Sequence, residues 1–198
     1  MDLALIDAGG ANLGSVQHAL SRLGVTPRVV RDAESFGAPD RVLLPGVGAA
    51  ARAMRLLHER GLVTCLRESN VPLMGICLGM QLLFEDSEEG DVECLGLLPG
   101  RVQKLQSANG IRIPHMGWNR LQVTQRSELL AGINADTQVY FVHSYGVPPG
   151  ADCIATTTHG QPISAIVQRG NRCGAQFHPE RSSTAGAQLL SNFLRWSP

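Results

Sequence analysis

The sequence has no excess of either charge: 17 Lys and Arg balance 17 Asp and Glu over 198 residues. Recruitment to nucleic acid or an anionic membrane through a basic patch has no compositional support. The five cysteines, Cys65, Cys77, Cys94, Cys153 and Cys173, are odd in number, widely spaced and contain no Cys-x-x-Cys pair. That argues against a disulfide framework and against a zinc or dithiol site. No segment approaches the roughly 18 uninterrupted apolar residues of a membrane span. The stretch Met1 to Asp7 carries Asp2 and Asp7 around a short apolar run, so it lacks the basic flank and longer hydrophobic region of a secretory signal. These absences leave a reducing, cytoplasmic protein as the expectation. With no internal repeat, low-complexity tract or linker, residues 1–198 read as one domain.

Short apolar runs alternate with helical patterns through the first half, the signature of a parallel α/β sheet. Leu3 to Ile6, Pro27 to Val30, Val42 to Leu44 and Val71 to Ile76 read as strands. Ser15 to Leu23, Ala49 to His58 and Leu78 to Phe84 read as helices. From about Leu97 to Gln176 the pattern becomes β-rich, with strands expected at Arg101 to Leu105, Gln138 to His143, Ile154 to Thr158 and Ile163 to Gln168. Thr184 to Trp196 closes the chain with Leu189, Leu190, Phe193 and Leu194 at helical spacing. The expected fold is a central, mostly parallel sheet flanked by helices, with a β-rich C-terminal half.

The most informative stretch is Gly75-Ile76-Cys77-Leu78-Gly79, which follows a strand and opens a helix. It is a nucleophile elbow with sulfur in place of the usual serine oxygen. The sharp turn strains the nucleophile's backbone and brings its neighbours close, which glycines on both sides permit. A helix N-terminus at Cys77 would favour thiolate over thiol, and the Leu78 amide becomes a natural oxyanion donor. The plainer reading is a small buried hydrophobe between two packing glycines.

A hundred residues on, Gln176-Phe177-His178-Pro179-Glu180 supplies a base and a carboxylate two positions apart. In an extended segment that spacing puts both side chains on one side. His178 can then take the Cys77 proton while Glu180 orients the ring. Alone, His-Pro-Glu would be a surface turn; its pairing with the elbow gives it meaning.

Together these motifs resemble the class I, or triad, glutamine amidotransferases. Within them, Pro114-His115-Met116-Gly117-Trp118-Asn119 and Phe141-Val142-His143-Ser144-Tyr145 are most similar to the branch serving as glutaminase subunits of imidazole glycerol phosphate synthase. The resemblance spans nearly the whole chain. It departs at Ala8, Ala11 and Gly14 in the first loop, at Gly146, and at Arg181, where lysine is common.

The resemblance implies hydrolysis of glutamine to glutamate and ammonia through a thioester on Cys77, with no metal or organic cofactor. It implies an oxyanion hole from Leu78 and the Val47–Gly48 segment. It implies glutamine contacts at Gly46, Gln81, Glu89, Ser144 and Tyr145, and partner contacts at Asn12 and Arg181. The partner it implies is a (β/α)8 cyclase subunit, forming a heterodimer that makes imidazole glycerol phosphate and an aminoimidazole ribotide in histidine biosynthesis. One domain fills the chain, so an ammonia acceptor must be bound by another protein.

Plainer readings accompany several of these residues. Gly46-Val47-Gly48 could be an ordinary turn, Gln81 a polar surface residue, and Glu89 part of the solvated acidic run Glu85 to Asp91. Gly9 to Gly14 misses the Gly-x-Gly-x-x-Gly spacing of a dinucleotide site. His115 and His143 are too far apart in sequence to form a metal pair, and His18, His58 and His159 are expected at the surface. Service to another synthase, a stand-alone γ-glutamyl hydrolase and a catalytically dead binding subunit remain alternatives.

Overall fold

The computed structural model describes residues 1–10, 13–107, 110–135 and 137–198. The first half runs β1 (Leu3–Ile6), α1 (Leu13–Arg22), β2 (Arg28–Val30), α2 (Ala33–Phe36), β3 (Arg41–Gly46), α3 (Ala50–Glu59), α4 (Leu62–Glu68), β4 (Leu73–Cys77) and α5 (Leu78–Gln81). The second half runs β5 (Asp86–Ser87), β6 (Val92–Glu93), β7 (Arg101–Lys104), β8 (His115–Arg120), β9 (Gln122–Val123), β10 (Gln138–His143), β11 (Tyr145–Gly146), β12 (Cys153–His159), β13 (Gln161–Arg169), β14 (Arg172–Ala175) and α6 (Ser183–Arg195).

An eight-stranded sheet has the order β2-β1-β3-β4-β14-β13-β12-β9. Its first five strands are parallel, and β13, β12 and β9 continue it antiparallel. Parallel strands buried on both faces read as continuous apolar runs, and Leu3–Ile6 is buried throughout. Alternation still sorts its side chains. Leu3 and Leu5 join one core with α1 and α6, while Ala4 and Ile6 join the other with α3 and α4. The apolar stripe of α6 (Leu189, Leu190 and Phe193) is buried, each side chain contributing about 1.5–3 kcal/mol.

Beyond the carboxyl ends of the parallel strands sit two smaller sheets. β8 and β10 form an antiparallel ribbon, and β11-β7-β5-β6 form a four-stranded sheet. In open α/β sheets this end is where ligands bind, and it is where Gly46, Cys77 and Gln176 emerge.

Two short helices, α2 and α4, and the strands β8 and β14 were not expected from the pattern. The helix expected over Leu78 to Phe84 is a single turn, followed by hydrogen-bonded turns from Leu83 N to Met80 O and Phe84 N to Gln81 O. Leu82, Leu83 and Phe84 are all buried, so apolar burial, rather than helical continuation, explains that run. Among the described residues no helix is long and apolar enough to cross a membrane.

Candidate active site

Strand β4 delivers Cys77 into α5 with φ 55 and ψ −113, a region that side-chain-bearing residues occupy only when their surroundings impose it. The imposing contact is the packing of α5 on the strands beneath it. A Cβ on Gly79 would sit 1.7 Å from the Leu44 carbonyl oxygen, so only glycine lets the turn close over β3. The Gly46 backbone is registered beside Cys77, which puts the Gly46-Val47-Gly48 loop next to the nucleophile. Because α5 is one turn long, what it offers there is a local set of backbone amides rather than a long helix dipole.

His178 follows β14, the parallel neighbour of β4. Its Nδ1 lies 2.8 Å from Glu180 Oε1, and both side chains are 6% exposed. The pairing differs from the extended geometry expected: Pro179–Arg181 is a 3-10 turn with proline at its start. Proline's fixed φ suits a first helical position, and the turn brings Glu180 back to the ring. The His178 N–H donates to Tyr140 O at 3.0 Å. Ser182 Oγ donates to His178 O at 2.7 Å and accepts from Tyr140 N at 2.9 Å. A Cβ on Gly186 would lie 1.9 Å from Pro179 O, so α6 presses directly on this turn. Burial disfavours a charge on His178. Hydrogen bonding and charge from Cys77 and Glu180 outweigh that, raising the ring's pKa to about 10, which favours the protonated ring.

Cys77 and His178 open into one cavity of ≈ 330 Å³ with Val47, Gly48, Leu78, Gln81, Glu89, Ser144 and Tyr145. Gly46, expected as a glutamine contact, does not line this cavity: it lines a smaller neighbouring one and packs so closely on α5 that a Cβ there would lie 2.9 Å from Gly79 N. Gln81 is not a surface residue: it is 4% exposed, and its Nε2 donates to Tyr145 O at 2.8 Å and to Gln176 Oε1 at 3.0 Å. Both amide hydrogens are thus used inside the protein. Glu89 is half-buried, and its carboxylate accepts the Ala50 N–H at 2.8 Å, tying the acidic loop to the start of α3 just beyond Gly48. A smaller cavity of ≈ 110 Å³ shares Val47, Val142 and His178 and reaches Val16, Ile76 and the exposed Arg181. Asn12 lies outside the described residues.

Residues that sequence reasoning left without a role also converge here. Gln176 is fully buried, and its Nε2 lies 3.9 Å from Cys77 Sγ. Val142 O lies 3.8 Å from the same sulfur. His115 and His143, read as too far apart in sequence to suggest a metal pair, face each other across the ribbon with Nδ1 and Nε2 3.0 Å apart. His159, expected at the surface, is half-buried and stacks on His115 with centroids 4.1 Å apart. Among the described residues no group of three or more His, Cys, Asp or Glu could hold a metal ion.

Burial, first, and neighbouring histidines lower the pKa of His115 to about 3; burial lowers that of His143 to about 4 against the opposing bond to Tyr145 O. An unfolded chain binds protons at these positions as pH drops through about 6.5, while the folded chain does not, so stability falls with pH below that point. The loss per histidine is up to about 1.4 kcal/mol per pH unit until the folded pKa is reached. Urea denaturation of wild type and of a His115→Asn, His143→Asn double variant should show the wild type losing stability more steeply between about pH 6.5 and 5. Equal slopes would mean that the folded protein protonates these rings.

The sequence profile of glutamine amidotransferase class-I matches residues 4–196. The chain belongs to the class-I glutamine amidotransferases. This amidotransferase is 63% identical over 196 residues to imidazole glycerol phosphate synthase subunit HisH of Xanthomonas oryzae pv. oryzae, covering 99% of this chain and 98% of the relative. It is 60% identical over 193 residues to the subunit of that name in Xylella fastidiosa, covering 98% and 96%. Among solved structures, a glutamine amidotransferase superimposes with a TM-score of 0.76 at 21% identity over 98% of both chains. PurLQS from Thermotoga maritima gives 0.72 at 21% identity over 98% of this chain and 97% of that one. The amidotransferase fold expected from the elbow and His-Pro-Glu is therefore the fold observed.

Proposed function

We propose that residues 1–198 form one glutaminase domain. In it Cys77, His178 and Glu180 hydrolyse glutamine to glutamate and ammonia, and the ammonia passes to a separate (β/α)8 cyclase subunit of imidazole glycerol phosphate synthase in histidine biosynthesis. The observation carrying this reading is the 2.8 Å His178–Glu180 pair opening with the strained Cys77 into one cavity. The choice of synthase is supported by relatives at 60–63% identity over nearly their whole length.

In the reaction, Cys77 Sγ attacks the γ-carboxamide carbon of glutamine. The resulting oxyanion is met by the Leu78 N–H and a donor from the Val47–Gly48 segment. Protonated His178 gives its proton to the departing nitrogen, releasing ammonia and leaving a γ-glutamyl thioester. Neutral His178 then takes a proton from water, whose oxygen attacks the thioester, and collapse of the second oxyanion frees glutamate. Glu180 holds the imidazole and offsets its charge throughout. Glu89, Ser144 and Tyr145 are assigned to the amino-acid end of glutamine, with Gln81 supporting the Tyr145 carbonyl.

Ammonia in neutral water becomes ammonium and ceases to be a nucleophile, which favours a dry contact with the consuming subunit. The outer face of the β8–β10 ribbon offers one. Met116 is 63% exposed and Trp118 53%, beside the mouth that Val47 (39%) flanks. Exposed aromatic and sulfur-bearing side chains of this kind are enriched in interfaces. Arg181 borders the smaller cavity together with His178 and Glu180 and is assigned, with Asn12, to the subunit contact.

Glutamate release with the cyclase bound tests the triad. Glu180→Gln is expected to lower kcat by about 10²-fold and His178→Ala by more than about 10³-fold, because the first variant keeps a base that is poorly held. Wild-type turnover in Glu180→Gln would remove Glu180 from the machinery.

A further inference from the structure

Under the exposed ribbon runs a hydrogen-bond chain whose proton positions are fixed from both ends. At one end Tyr145 O can only accept, so His143 Nδ1, 2.7 Å away, donates. A neutral ring then leaves Nε2 as an acceptor, and His115 Nδ1, 3.0 Å away, supplies the hydrogen. At the other end the Asn119 amide has its oxygen taken by the Arg120 N–H at 2.8 Å and one hydrogen taken by Thr158 O at 2.9 Å. Its second hydrogen points at His115 Nε2, 3.0 Å away, which must accept. Each ring therefore carries its proton on Nδ1.

The surroundings suit uncharged rings. His115 is 3% exposed and stacked between Phe141, at 4.6 Å, and His159, at 4.1 Å. His143 is 7% exposed and borders the cavity that holds Cys77. The chain ends on a carbonyl with a second duty, since Tyr145 O also accepts from Gln81 Nε2. Gln81 continues to Gln176, and Gln176 to the sulfur. The carbonyl thus joins two donors that approach from the ribbon and from the elbow.

We propose that His115 and His143 are positioning residues for glutamine: a neutral pair, each protonated on Nδ1, that fixes the Tyr145 carbonyl and with it the place of Tyr145 in the cavity wall. The proposal rests on the glutaminase reading. Neither ring touches a reacting atom; each acts through the peptide it holds. A carbonyl with one donor removed can rotate about the Tyr145 Cα–C bond, which loosens the Tyr145–Gly146 peptide and the tyrosine's place in the cavity wall, while the Ser144 carbonyl stays held by the Leu105 N–H at 2.9 Å. The effect falls on substrate binding more than on the sulfur.

Two measurements test it on the full chain. In ¹⁵N-histidine NMR spectra, both rings should show the Nδ1–H tautomer at neutral pH and no titration down to about pH 5; an Nε2–H tautomer at His143, or titration in that window, overturns the pair. In steady-state glutaminase assays with the cyclase bound, His143→Leu should raise KM for glutamine about 10-fold with a smaller change in kcat. His143→Asn, whose amide nitrogen can stand in for Nδ1, should recover KM to within about 3-fold of wild type. Alkylation of Cys77 by iodoacetamide should stay within about 2-fold in both. An unchanged KM in His143→Leu, or equal impairment in the two variants, refutes positioning. If His143→Leu does not fold, the comparison of His115→Phe with His115→Asn decides in the same way. A wild type that releases no glutamate would instead refute the glutaminase reading, and the spectra would still decide the tautomers.

Discussion

Replacing Cys77 by serine is expected to slow glutamate release by at least about 10³-fold while leaving the chain folded. The elbow demands a residue that tolerates φ 55 where β4 passes into α5, and serine is nearly isosteric with cysteine. Besides His178, the sulfur meets Val142 O at 3.8 Å and Gln176 Nε2 at 3.9 Å; both contacts are long, so their loss costs little stability. The chemistry is less forgiving. A hydroxyl ionises far less readily than a thiol and cannot form the charged pair that helps keep His178 protonated. In the complex, Cys77→Ser supplied with ammonia at alkaline pH should still make the cyclase product. Glutamate release at near the wild-type rate would end the assignment of the nucleophile. A folded complex unable to use external ammonia would show that the two half-reactions do not separate.

The isolated chain is expected to hydrolyse glutamine about 10²- to 10³-fold more slowly than the chain bound to its cyclase and acceptor. The Gly46-Val47-Gly48 loop carries this expectation. Gly48 has φ 92 and open space around its Cα, and Val47 is exposed, so little in the free chain holds that peptide to one orientation. Gly10 approaches the same peptide from the first loop: a Cβ there would lie 3.0 Å from Val47 O. A partner docking over the first loop and Val47 would act on the oxyanion donor directly. For a ligand to drive this, it must favour the competent state by a comparable 3–4 kcal/mol, roughly. Steady-state kcat for the chain alone, for the complex and for the complex with acceptor provides the check. Three equal values would refute conditional activation and leave the Cys77 chemistry standing.

The parts of this fold that were legible in the sequence are those where one local pattern decides the matter. Leu3–Ile6 and Leu73–Cys77 are runs buried on both faces, and the elbow's glycines are dictated by contacts within the turn itself. What escaped depends on pairing between distant segments. Strand β14, Arg172–Ala175, is four residues containing a cysteine and a glycine, and only its place between β4 and β13 makes it a strand. Strand β8 mixes histidine, glycine, tryptophan and asparagine, a composition without a clear period. Its pairing with β10 sets His115 opposite His143, a contact invisible at a separation of 28 residues. Gln81 was read as a glutamine contact or a polar surface residue, and its burial was not legible. Its exposure was set by Tyr145 and Gln176, 64 and 95 residues away.

The central position of β14 has a consequence for the order of events in synthesis. The nucleophile's strand is made early, whereas the base arrives on a strand that must slot in parallel beside it, with Gln176 and Cys77 separated by 99 residues. Contacts so distant in sequence carry a loop-closure cost that slows folding. During synthesis the N-terminal part of the chain emerges first, bearing its cysteine without the imidazolium that raises its reactivity. Only when β14 completes the sheet and α6 packs over the Pro179–Arg181 turn do sulfur and base meet. An unfinished chain is thereby unable to spend glutamine.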